Sequence, residues 1–153
     1  MTNHTVPAMP SRALWLISAS GLIPFLVCLA VGYGVPTQRP VATTVFLVYS
    51  ALTLTFLGGA RWGAELVRAP QHPRLARLSA AAAPSVVGLL ALLPQLDRRI
   101  GFALLIASSL IQLAWDVSAA KTGLLPAWTG RMRTVMTALG TLCTLGMLPL
   151  VVG

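Results

Sequence analysis

Five apolar stretches, near residues 13–33, 41–64, 75–94, 100–120 and 134–152, follow one another along the chain with only short, basic connections between them. A helix needs about 20 apolar residues to cross a hydrocarbon core of about 30 Å, and in lipid it satisfies every backbone polar group internally. Four of the runs meet that length. The run at 75–94 is the weakest, because Arg74 and Arg77 bracket its start, Pro84 interrupts it and Ala80 to Ala83 are only weakly apolar. Composition points the same way: 56% of the 153 residues are hydrophobic and 9% charged, where a soluble domain carries about 25% charged residues. The expected fold is all-α, a polytopic transmembrane helical bundle of about five spanning helices. It occupies residues 13–153 as one unit, after a polar tail at 1–12 that holds Pro7 and Pro10.

The net charge of +8 comes from eleven Lys and Arg against three acids. Such a balance in a soluble chain would raise nucleic acid as a partner, but no aromatic and basic face outside the apolar runs is available for it. No nucleic-acid binding is expected. The cations sit instead in the connections, where they orient the chain and meet anionic lipid headgroups. Arg12, Arg68, Arg74, Arg77, Lys121, Arg131 and Arg133 fall on one side, and Arg39, Arg98 and Arg99 on the other. The more basic side faces the cytoplasm, so the N-terminus is expected inside and the C-terminus outside a bacterial inner membrane.

Both cysteines, Cys28 and Cys143, lie within apolar runs without a Cys-x-x-Cys spacing, so they read as small packing residues. The first run lacks a strongly basic leader and exceeds a typical secretory core, which makes it a retained span. Small residues at helical spacing recur: Gly21, Pro24, Cys28 and Gly32; Ala81, Ser85 and Gly88; Thr137, Gly140, Thr141 and Thr144. They are expected to let helices approach closely. Pro24, Pro84 and Pro149 are candidates for kinks.

Chemistry concentrates in two places. The second run ends Phe56-Leu57-Gly58-Gly59-Ala60-Arg61-Trp62-Gly63-Ala64-Glu65, with Arg61 and Glu65 one turn apart at i,i+4. The fourth run carries Ser108, Gln112 and Asp116 at four-residue intervals beside Trp115. Asp116 sits about 9 Å from the middle of its segment, still short of the interface at about 15 Å. Its side chain is too short to reach water, so it needs a partner. Arg61 is the leading candidate, with Lys121, Arg131 and Arg133 as rivals and Glu65 as a third member. The candidate intramembrane network is therefore Arg61, Glu65, Gln112 and Asp116, flanked by Trp62, Trp115 and Trp128. Two readings compete for it: a structural Arg61–Asp116 clamp, and a site that binds an ion or headgroup or relays protons.

Other chemistry lacks support. His4 and His72 have no ligand partners at metal spacing, and no metal or cofactor is expected. Gly58-Gly59 lies in a helix without the strand and Lys-Ser/Thr of a phosphate loop. Three acids and no embedded His leave little for catalysis, so the chain is not expected to be an enzyme.

Several of these residues resemble one family. Gly21-Leu22-Ile23-Pro24-Phe25, the block from Phe56 to Gly63, Asp116, and Pro126-Ala127-Trp128 with Arg131, Arg133 and Thr137 are similar to the bacterial membrane family called domain of unknown function 3429. That family is related to the mitochondrial transmembrane protein 69 group. The resemblance covers about residues 14–137, and its most specific element is Gly-Gly-x-(His or Arg)-Trp-Gly, here Gly58 to Gly63. The chain departs from the pattern at Thr129, where relatives carry Tyr, and at Met132, where they carry Leu. Many relatives have His at position 61, so the resemblance does not imply a role for a titrating imidazole. It implies a multi-helix membrane protein and supplies no activity. The expected role is a structural or accessory membrane component, as a homo-oligomer or with a membrane-protein partner. The alternative is a small oligomeric channel or carrier built on Arg61 and Asp116.

Overall fold

The computed structural model describes residues 12–66, 74–123 and 125–152, which form six α-helices and one short 3-10 turn. These are α1 (Arg12–Ser20), α2 (Ile23–Gly34), α3 (Arg39–Leu66), α4 (Arg74–Ala91), α5 (Arg98–Lys121) and α6 (Ala127–Val152), with the 3-10 turn Pro36–Gln38 before α3. Helices α2 to α6 stand in a ring, each packed on the next and α6 closing against α2, while α3 and α5 also touch across the middle. The expected polar tail lies outside the described residues except for Arg12, which opens α1.

Four stretches are long and apolar enough to cross a membrane: Arg12–Gly34, Pro36–Leu66, Arg98–Lys121 and Trp128–Val151. The remaining one, Leu75–Ala91, is shorter, so the expected run at 75–94 ends early. The backbone leaves the helix after Ala91, and Leu92 and Leu93 close tight turns onto Leu89 and Leu90. At 18 residues α4 is about 27 Å long.

The first apolar run is not one helix. It breaks at Gly21 and Leu22, whose amides bond back three residues to Ser18 and Ala19. Pro24 stands in the first turn of α2, where its missing N–H costs nothing. The Tyr49 hydroxyl on α3 donates to the Gly21 carbonyl at 2.9 Å, which satisfies an acceptor that the break releases.

Aromatic rings fill the centre. Phe25 meets Phe46 and Tyr49 edge-to-face at centroid distances of 5.0 and 4.9 Å, and Phe46 leans on Phe102 at 5.8 Å. Leu47, Ala51, Leu54, Ala91, Leu105 and Met147 pack around them in this core. Cys28 is buried in it, Cys143 packs against it, and both are free thiols, as their apolar surroundings indicate. Pointing away from the bundle are Leu16, Leu75, Ile111 and Leu142, all exposed, while Arg61, Glu65, Gln112 and Asp116 are buried. Apolar outside and charged inside is the arrangement a hydrocarbon solvent requires.

Candidate functional site

The charged side chains converge where α3 and α5 end and α6 begins. Arg61 Nη2 donates to Glu65 Oε1 at 2.8 Å across one turn of α3. Arg61 Nη1 lies 3.9 Å from Asp116 Oδ1 on α5, and Asp116 Oδ2 lies 3.2 Å from Arg133 Nε on α6. Arg77 of α4 adds a fourth helix, its Nη1 3.9 Å from Glu65 Oε2. The result is an alternating series, Arg77, Glu65, Arg61, Asp116, Arg133, in which Arg61, Glu65 and Asp116 are each only 3% exposed. The guanidinium of Arg61 also lies 4.5 Å over the Trp115 ring, a cation–π contact strengthened by desolvation.

The expected members divide. Arg61, Glu65, Asp116 and Trp115 come together. Gln112 is buried on the same helix one turn before Asp116, but its Nε2 has no hydrogen-bond partner and it joins no ion pair of the network. Trp62 points outward, 43% exposed, because one residue along a helix turns about 100° from Arg61. Trp128 opens α6 with its Nε1 buried and without a partner. The expected Arg61–Asp116 clamp is therefore the longer of Asp116's two ion pairs.

Arg133 takes the closer place for a local reason. Helix α6 starts at Ala127, seven residues before the apolar run that signalled it, after Pro126 whose carbonyl accepts from the Thr129 amide and hydroxyl. Arg131 and Arg133 are thus helical residues on different faces, Arg131 exposed and Arg133 turned towards α5. Arg77 is legible in the sequence only as a cation at the start of the run 75–94. Arg68, His4 and His72 lie outside the described residues, as does the side chain of Arg74.

Beside the network is a feature that the sequence only hinted at. A cleft of about 760 Å³ lies among α1, α2, α3 and α6, with α5 contributing part of its wall. Arg61, Asp116 and Arg133 line one end, and Ser50 and Thr144 the other. The stripe Thr137, Gly140, Thr141 and Thr144 lines this space rather than a tight helix contact. Helix α1 leans on α6, where the Ser18 hydroxyl donates to Met132 Sδ at 3.2 Å, and it does not pack comparably on α3. Arg61 Nε and Nη1 are buried without a hydrogen-bond partner. Each such orphaned donor costs about 1–3 kcal/mol, more for a charged group.

Fold and site together define a multi-pass helical membrane protein with a buried charge network beside an apolar cleft. The family model described as a protein of unknown function (DUF3429) matches residues 9–149, and the chain belongs to that family. It is also similar to transmembrane protein 69 of Xenopus tropicalis, 29% identical over 140 residues, which are 91% of this chain and 54% of the relative. The chain thus spans about half the length of that protein. No solved structure matches.

Proposed function

We propose that this protein is a non-catalytic accessory component of a bacterial inner membrane, with its N-terminus in the cytoplasm. In this reading the charge network holds the cytoplasmic ends of the bundle in one arrangement for a membrane-protein partner or a second copy of the chain. The observation that carries it is the series from Arg77 to Arg133, which takes side chains from α3, α4, α5 and α6. Removing one member of a buried ion pair leaves the other uncompensated, so such a network resists rearrangement more than it adds net stability. The orientation rests on the excess of Lys and Arg at that end. Exposed Lys121 and Arg131 are placed to meet anionic headgroups there.

Purification in a mild detergent followed by mass spectrometry tests the proposal. A membrane protein recovered in constant proportion, or a defined homo-oligomer, is expected. A chain that is monomeric and without companions would refute it. The cleft favours a second reading, an oligomeric carrier, because Arg61 and Asp116 stand at its end. In that case a cysteine replacing Asp116 would react with a polar thiol reagent from the aqueous side. The accessory role expects it to be protected.

A further inference from the structure

Going beyond that role, we infer that the cleft is a binding site for one anionic phospholipid, with its phosphodiester on Arg61 and Arg133 and one acyl chain lying between α3 and α6. The inference starts at Arg61, which lines the cleft and is 3% exposed, with Nε and Nη1 lacking hydrogen-bond acceptors. Nε–H and the Nη1 N–H groups leave the planar guanidinium on different edges, so each offers a separate charge-assisted donor to a phosphate oxygen. Arg133 Nε already engages Asp116, and its remaining N–H groups supply further donors at the same end.

The remainder of the cleft fixes the kind of anion. Beyond its charged end the walls are largely aliphatic and aromatic, with Leu22, Phe25, Leu57, Leu105 and Met136 among them. A free inorganic anion has no use for such a wall, whereas an acyl chain does. The volume of about 760 Å³ falls in the usual range of about 300–1,000 Å³ for ligand sites. Along α3 the lining runs from Tyr49 to Ala64, about 22 Å, more than the roughly 15 Å of one leaflet.

Depth agrees with a lipid. Arg61 lies about 13 Å from the midpoint of α3, against a hydrocarbon half-thickness of about 15 Å. A phosphodiester there is close to its ordinary level in the bilayer. The looser approach of α1 to α3 leaves a side on which a chain can enter from lipid.

The test uses the isolated full-length chain, so its result is independent of any protein partner. Delipidated protein in detergent is titrated with phosphatidylglycerol, with phosphatidylcholine of the same chains, or with inorganic phosphate. Native mass spectrometry counts bound molecules and thermal unfolding reports stabilisation. One phosphatidylglycerol per chain is expected, with phosphatidylcholine at least about tenfold weaker, because it has the same phosphodiester but brings its choline cation up against the guanidiniums. Inorganic phosphate should not stabilise. Arg61→Gln should weaken phosphatidylglycerol about tenfold. Gly140→Leu provides a variant outside the ion network: Gly140 lines the cleft and a Cβ there meets nothing within 4 Å, so the new side chain takes up cleft space. It too should weaken the lipid at least about tenfold, by removing space for burial. Equal binding of both lipids would overturn the headgroup assignment, and unchanged binding to Gly140→Leu would overturn the cleft. Stabilisation by phosphate alone would overturn the acyl chain, and no bound lipid would overturn the whole inference.

Discussion

At the scale of single residues, Asp116 is the branch point of the charge network, and its two ion pairs are unequal. The one to Arg133 is 3.2 Å long and the one to Arg61 3.9 Å. Thermal-unfolding cycles on Asp116→Ala with Arg133→Ala should give a coupling of about 1 kcal/mol, and cycles with Arg61→Ala a smaller one, because polar contacts between membrane helices average about 0.6 kcal/mol and reach about 1.7. Equal couplings would mean the two distances carry no energetic difference. Trp115→Leu should lower the melting temperature by removing the ring under Arg61, and Trp62→Leu, on the outward face, should not. The Arg61–Glu65 pair was legible because spacing within one helix decides it. The choice among Asp116's candidate partners was not, since it depends on where α6 starts and how its turn aims Arg133 rather than Arg131.

Helices meet through small residues here, but not everywhere the small residues occur. A Cβ on Gly58 would stand 2.8 Å from the Ala81 carbonyl and 3.3 Å from Pro84 Cβ, so α3 and α4 touch at backbone distance. One residue on, a Cβ on Gly59 meets nothing within 4 Å. Gly58→Ala should therefore destabilise the protein by about 1–3 kcal/mol through overpacking. Gly59→Ala should leave it unchanged or stabilise it by under about 1 kcal/mol, by removing a helix-interior glycine. Comparable losses from both, in parallel denaturation curves, would deny the close approach. The motif Gly58 to Gly63 could be read as a helix end carrying a charge, and it is one. Which of its glycines faces α4 could not be read, because adjacent glycines are equivalent in sequence and differ only through the helix that packs on one of them. The Gly21–Pro24 break was half legible: proline announces a kink, whereas the recapture of the Gly21 carbonyl by Tyr49 depends on a side chain 28 residues away.

For the whole molecule the decisive element is α4, whose apolar length falls short of the other spans. Its neighbours settle its direction. Arg98 at the start of α5 donates from Nη1 to Thr43 Oγ1 near the start of α3, at 3.1 Å. Helices α3 and α5 therefore begin at the same end of the bundle and run the same way. The chain has to return between them, and α4, packed along α3, is the element that does so. Its 18 residues give about 27 Å against a hydrocarbon core of about 30 Å, a shortfall that local thinning of the bilayer or flanking side chains can absorb. The proposed topology takes α1 and α2 as one crossing and α4 as another, five in all, which puts the termini on opposite sides. In the proposed orientation, which rests on the excess of Lys and Arg, the N-terminus lies in the cytoplasm. A reporter active only in the periplasm should be active when fused after Gly153 and inactive when fused near Gln71. Activity at neither point, with both fusions present by immunoblot, would mean that α4 turns back within the membrane and leaves the C-terminus inside. Activity near Gln71 alone would reverse the orientation and keep the five crossings.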